Sequence, residues 1–153
     1  MKKNLLLLII ILPLVFNECK ADNPGSTPKT NTTGNAVVPM TNETFKKVVF
    51  NYDENKEWKF EGNKPAIIDF YADWCPPCRQ LSPLVEEIAK EYSGRIDVYK
   101  VDTDKEKTLA QALGITNLPT LLFIPAKGKP QMTMGALPKE NLVKAINEIL
   151  MIK

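Results

Sequence analysis

The stretch Asp69-Phe70-Tyr71-Ala72-Asp73-Trp74-Cys75-Pro76-Pro77-Cys78-Arg79 sets two cysteines three residues apart, between an apolar run and an amphipathic one. The first run reads as a strand and the second as a helix. A helix N-terminus presents backbone N–H groups without intrahelical partners and a partial positive charge, and both favour a thiolate over a thiol. Two thiols at this spacing can close into a small disulfide ring and reopen. The chain therefore carries the parts of a reversible dithiol/disulfide site.

Around that stretch the pattern extends both ways. Residues 66–72 are almost continuously apolar, as expected of a strand covered on both faces. Upstream, residues 36–40 suggest a short strand. Thr41 or Asn42 can then cap a helix through about Phe50 with Phe45, Val48 and Val49 on its inner face. The charged connection over 51–64 contains Trp58 and Phe60, whose alternation suggests a short extended piece with both aromatics covering the core. A peptide-binding role is the other reading of Trp58. Downstream, Leu81, Leu84, Val85, Ile88 and Ala89 recur at helical spacing over 76–92, and Pro83 is expected to kink that helix. Further elements are expected as a strand over 96–101, a helix over 105–113 ending at Gly114, and a strand over 120–124. Gly128 marks a turn into 131–134, and the last helix covers 138–151. This order implies an α/β fold, a central mixed sheet of four to five strands with helices on both faces.

Composition narrows the function. The chain has 153 residues, 44% of them hydrophobic and 25% charged, which suits one globular domain plus some flanking sequence. Of its 20 basic and 18 acidic side chains, residues 1–21 hold three lysines and one glutamate, leaving a balanced 17 of each. A balanced domain gives no electrostatic reason to expect nucleic acid or an anionic membrane. The chain contains no histidine, which excludes Cys-His and Ser-His catalysis and leaves a zinc site short of ligands. No cofactor and no metal are expected.

The N-terminus reads as an address. Met1-Lys2-Lys3 precedes an apolar stretch from Leu5 to Phe16, shorter than the ~20 residues that span a bilayer but suited to a signal-peptide core. The expected organisation is a signal peptide over 1–21, a flexible linker over 22–35 and a folded domain over 36–153. Cleavage after Ala21 would leave Cys75 and Cys78 as the mature cysteines, used for chemistry rather than as a structural staple. Cys19 permits a rival reading, a lipoprotein acylated there, although Phe16-Asn17-Glu18 fits that processing poorly. Either way the domain is expected to be periplasmic or otherwise exported.

Taken together, Asp69 to Cys78, Pro83 in the following helix, Lys100-Val101-Asp102, Gly114-Ile115-Thr116-Asn117-Leu118-Pro119-Thr120 and Gly135-Ala136-Leu137 resemble the thioredoxin family. The similarity covers roughly residues 36–152, with the motifs in the family's order and spacing. Two features depart from it. Pro76-Pro77 stands where the family usually has Gly-Pro, and the connection before the central strand is longer. The span from Cys78 to Pro119 leaves no room for the inserted element of cytochrome-maturation relatives, which makes that branch an alternative rather than the leading reading.

The resemblance implies a thiol–disulfide oxidoreductase acting on protein disulfides or thiols as a monomer, with an envelope thiol as electron donor or acceptor. Cys75 is expected to be exposed and to attack as a thiolate, with the less exposed Cys78 resolving the mixed disulfide. Lowering a thiol pKa from ~8.5 to ~7 takes roughly 2 kcal/mol, about the size of one helix-terminus effect. Without a histidine between the cysteines, and with no N–H on Pro76, a moderately reducing couple is expected. Asp69, between Ile68 and Phe70, should lose hydration and titrate high, so that it can accept the Cys78 proton; the other reading leaves it facing solvent. By the resemblance Lys100 assists that transfer and Pro119 is cis. Trp74, Pro76, Pro77, Leu118, Pro119 and Ala136 then form the shallow substrate surface. A non-enzymatic peptide-binding module on the same fold is the alternative from another class.

Overall fold

The computed structural model describes residues 36–152; the segments read above as signal peptide and linker, with Cys19, lie outside the described residues. In chain order the elements are β1 (Val38–Pro39), α1 (Asn42–Val48), β2 (Ala66–Tyr71), α2 (Pro76–Glu91) and β3 (Asp97–Asp102). They continue with α3 (Lys107–Ala112), β4 (Thr120–Ile124), β5 (Gln131–Met134) and α4 (Lys139–Ile149). The five strands form one mixed sheet in the order β1-β3-β2-β4-β5. β2 runs parallel to β3, with Asp69 opposite Lys100, and antiparallel to β4, with Asp69 opposite Leu121.

Strand alternation splits the core into two layers. Ile67, Leu121 and Phe123 face α2 and α4, where they meet Leu81, Val85, Ile88, Leu142 and Ile146. Ala66, Ile68, Phe70, Leu122 and Ile124 face the other way, onto Phe45 of α1 and Leu109 of α3. Asp69 shares its parity with Ile67, so the carboxyl group lies on the α2 side of the central strand. That placement matters for the site.

The helices show where local signals prevail. Thr41 caps α1, its Oγ1 accepting the Thr44 N–H at 3.2 Å. The helix stops at Val48, short of the expected Phe50, because Val49 turns out of the helical region at φ −121° and ψ −69°. Phe45 and Val49 are fully buried, whereas Val48, expected on the inner face, is 36% exposed. Three residues on from Phe45, Val48 falls about 60° to one side of it, at a rim that the single short helix leaves uncovered. No strand forms around Trp58 and Phe60. The two aromatics instead cover the α1 layer, Trp58 against Phe50 with ring centroids 4.9 Å apart. α2 continues through Pro83, whose missing N–H removes the ladder bond to the carbonyl four residues back. α3 begins later than expected because the N–H groups of Lys105 and Glu106 both turn back to the Asp102 carbonyl.

Candidate active site

Cys75 is the N-cap of α2, and its position follows from the strand before it. β2 ends at Tyr71, the Cys75 N–H donates to the Ala72 carbonyl at 3.1 Å, and the chain turns into the helix there. Cys75 and Cys78 form a disulfide, with S–S 2.14 Å and Cα atoms 5.3 Å apart. At an α-helix start the first N–H groups lack intrahelical partners. Here Pro76 and Pro77 occupy the first two positions and have none to offer. The Cys78 N–H donates to Cys75 Sγ at 3.3 Å, and the Arg79 N–H goes to the Cys75 carbonyl at 3.3 Å. The first turn therefore directs a single backbone donor at the sulfur.

The expectation that Cys75 stands exposed and Cys78 less so needs correction: in this disulfide state they are 3% and 2% exposed. The physical reason is packing. Both lie with Ala72 in a small buried cluster that Tyr71 and Leu118 cover. What protrudes is Trp74, 65% exposed, with its Nε1–H donating to Asp104 Oδ2 at 2.8 Å.

A groove of about 390 Å³ runs over the disulfide. Trp74, Cys75, Pro76 and Pro77 form one bank, and Ile115, Thr116, Asn117 and Leu118 the other, with Thr103 also on its wall. The Leu118–Pro119 peptide is cis. The loop around it is tied at both ends, since Gly135 N–H donates to the Pro119 carbonyl at 2.8 Å and Thr120 Oγ1 donates to the Asn117 carbonyl at 2.7 Å. Of the residues expected on the substrate surface, Trp74, Pro76, Pro77 and Leu118 come together here. Pro119 is buried and Ala136 exposed, and neither is on the groove wall.

Asp69 is only 3% exposed, which rejects the solvent-facing reading. Burial pushes its carboxyl up to about 7, with the Lys100 cation on the adjacent strand partly offsetting the rise. Its Oδ1 is buried without a hydrogen-bond partner. A group titrating there can hold or release a proton near neutral pH on the side of the sheet that α2 covers.

Residues with no assigned role in the sequence reading also belong to the site. Thr103, Ile115, Thr116 and Asn117 line the groove, and Asp104 holds the Trp74 indole. The run Gly114 to Thr120 contained three of them. Their use as a groove wall follows only once β4 and α3 are placed beside α2.

Comparison with known proteins agrees with this geometry. Residues 36–148 match the family model for thioredoxin. The chain is 51% identical over 110 residues to a thioredoxin of Borreliella burgdorferi, covering 70% of this chain and 94% of that one. Among solved structures it is similar to chloroplastic thioredoxin z, with TM-score 0.62 and 29% identity over 74% of this chain and 93% of the other. It is also similar to the thioredoxin of Malassezia sympodialis, with TM-score 0.60 and 31% identity over 73% and 89%. The chain belongs to the thioredoxin family and is a thiol–disulfide oxidoreductase acting on protein disulfides, with Cys75 and Cys78 as its redox pair.

Proposed function

We propose that this chain is an exported, moderately reducing thioredoxin that exchanges disulfides with protein substrates in the cell envelope, fed by an envelope thiol donor. The observation that carries the reducing character is the start of α2. One N–H reaches Cys75 Sγ, two prolines supply none, and the chain has no histidine to add a cationic partner. Few stabilisers for the thiolate mean a poorer leaving group and a less oxidising couple.

In the reduced enzyme Cys75 attacks a substrate disulfide as a thiolate. The substrate S–S bond breaks, a mixed disulfide forms, and one substrate thiolate leaves. Cys78 then gives its proton to Asp69 and attacks Cys75 Sγ, which releases the second substrate thiolate and closes the Cys75–Cys78 bond. Lys100, opposite Asp69 across the β2–β3 ladder, favours the ionised carboxylate that takes this proton. Equilibration with glutathione should give a potential near about −270 mV; a value near about −120 mV, that of a strong oxidant, would overturn the reducing assignment.

Export rests on the charged start and apolar core within residues 1–21 and on the polar linker that follows. Cell fractionation with N-terminal sequencing should find a soluble envelope protein beginning at Asp22. A chain retaining Met1 in the cytosol refutes export, and a fatty acid on Cys19 replaces the soluble form with an anchored one. Between Cys78 and Pro119 the chain has α2, β3 and α3 and no further helix or strand, which favours a general exchanger over a cytochrome-maturation reductase.

A further inference from the structure

Among the described residues, three of the five large apolar side chains that stand exposed are Trp74, Met134 and Met132, at 65%, 65% and 44%. Trp74 flanks the catalytic groove. Across it, Asn117 on the groove wall donates from Nδ2 to Met134 Sδ at 3.4 Å. Met132 lies two residues back along β5, about 7 Å away on the same face of the sheet. Opposite neighbours place both: Met134 pairs with Thr120 and Met132 with Leu122, whose side chain belongs to the α1 layer. One residue before β5, Pro130 opens a second and larger depression of about 810 Å³, walled also by Trp58, Gly128, Lys56 and Lys129. Trp58 packs on that same α1 layer. The apolar strip thus runs from the disulfide along the sheet edge to a basin built by the long α1–β2 connection and the β4–β5 turn.

The occupant follows from continuity and charge. A substrate disulfide placed at Cys75 brings its flanking chain over Asn117 and Met134, and continuing along β5 to Pro130 takes about 14 Å, or roughly four extended residues. Methionines suit such a role, because flexible thioether side chains adapt to varied partners. At the far end Lys56 and Lys129 have no ion-pair partner among the described residues and outnumber Glu57. We propose that Met132 and the Trp58 basin extend the substrate site and bind the extended segment flanking the target cysteine, apolar over β5 and acidic at Lys56 and Lys129. The proposal rests on disulfide exchange at Cys75 and is independent of the compartment. Binding far from the reacting sulfurs holds ground state and transition state alike, so it acts on KM rather than kcat.

The test compares two synthetic peptides containing the same disulfide. A short one ends two residues beyond each cysteine; a long one adds six apolar residues and a terminal Asp-Asp on both sides. The wild-type enzyme should favour the long peptide in kcat/KM by about tenfold. Met132→Ser should reduce that long-to-short ratio about fivefold through KM, the effect expected when the peptide covers about half of the methionine surface that solvent now reaches. Met132→Leu should restore it. Lys129→Glu should weaken the Asp-Asp peptide and favour its Lys-Lys counterpart. An equal preference for both peptides in wild type, or an unchanged ratio in a Met132→Ser enzyme that still turns over the short peptide as wild type does, overturns the proposal. If the ratio is unchanged and the same variant abolishes a dimer seen by ultracentrifugation, the strip serves a second copy of the chain. Failure to turn over even the short peptide would instead count against exchange at Cys75.

Discussion

Replacing Asp69 by Asn removes a buried charge while keeping the shape of the side chain, and its effect on stability has a defined pH signature. In the unfolded chain this carboxyl titrates at the ordinary 3.8, and in the fold burial holds it at about 7. Between those values the native state keeps a proton that the unfolded chain has lost. The contribution of this group to native stability is therefore fully present below about pH 4, falls as pH rises towards 7, and is lost above it. Each pKa unit is worth about 1.4 kcal/mol, so the whole loss is about 4 kcal/mol. Asn avoids it, less the cost of burying an amide where Oδ1 already lacks a partner, so Asp69→Asn should gain about 2–4 kcal/mol at pH 8.5. At pH 4.5 the two proteins should agree within about 1 kcal/mol. Urea unfolding of the oxidised proteins reads this directly, because at a slope of about 2 kcal/mol per molar the alkaline gain moves the midpoint by about 1–2 M. Equal gains at both pH values, or a loss at pH 8.5, would refute ionisation of a buried carboxylate as the cause. The same variant should slow resolution of the mixed disulfide about a hundredfold near neutral pH, the low end for a lost proton acceptor, in a single-turnover assay.

Four further outcomes follow from the site and the core. Cys75→Ala should abolish insulin reduction driven by a chemical reductant, while Cys78→Ser should accumulate mixed disulfides that identify the substrates by mass spectrometry. Pro76→His places an imidazolium beside Cys75 and should make the couple more oxidising by about 30 mV for each pKa unit by which the thiolate is stabilised; an unchanged potential in glutathione equilibration would separate it from charge at the helix start. Phe123→Ala empties a fully buried position against α2 and α4 and should cost about 3–5 kcal/mol in urea unfolding, with the low-energy outcome reserved for a core that collapses into the gap.

Some of this molecule was legible from residues alone, and the reasons are local. β4 and β5 lie at the expected residues because Pro119, Pro125, Gly128 and Gly135 punctuate them. α2 starts at Pro76 because proline suits a first helical position, and it ends beside Tyr92 as its apolar spacing implied. The burial of Asp69 followed from apolar neighbours on both sides. Other features depended on contacts between distant segments. The two cysteines are hidden by Leu118, which arrives from another part of the chain, and Asp104 reaches Trp74 across 30 residues of sequence. Val48 lies on the rim because α1 is one short helix on a broad sheet, a matter of coverage that periodicity does not encode.

The strand that leads into the cysteines has a hydrogen-bonded neighbour on each side, β3 along six residues and β4 along five. A reactive pair mounted there inherits a stiff anvil rather than a jaw, with little freedom to mould itself around an incoming partner. At the sulfurs themselves, pliancy must then come from the client protein, whose target bridge has to be presented on chain loose enough to lie flat. Selection among clients would follow their local unfolding as much as their sequence.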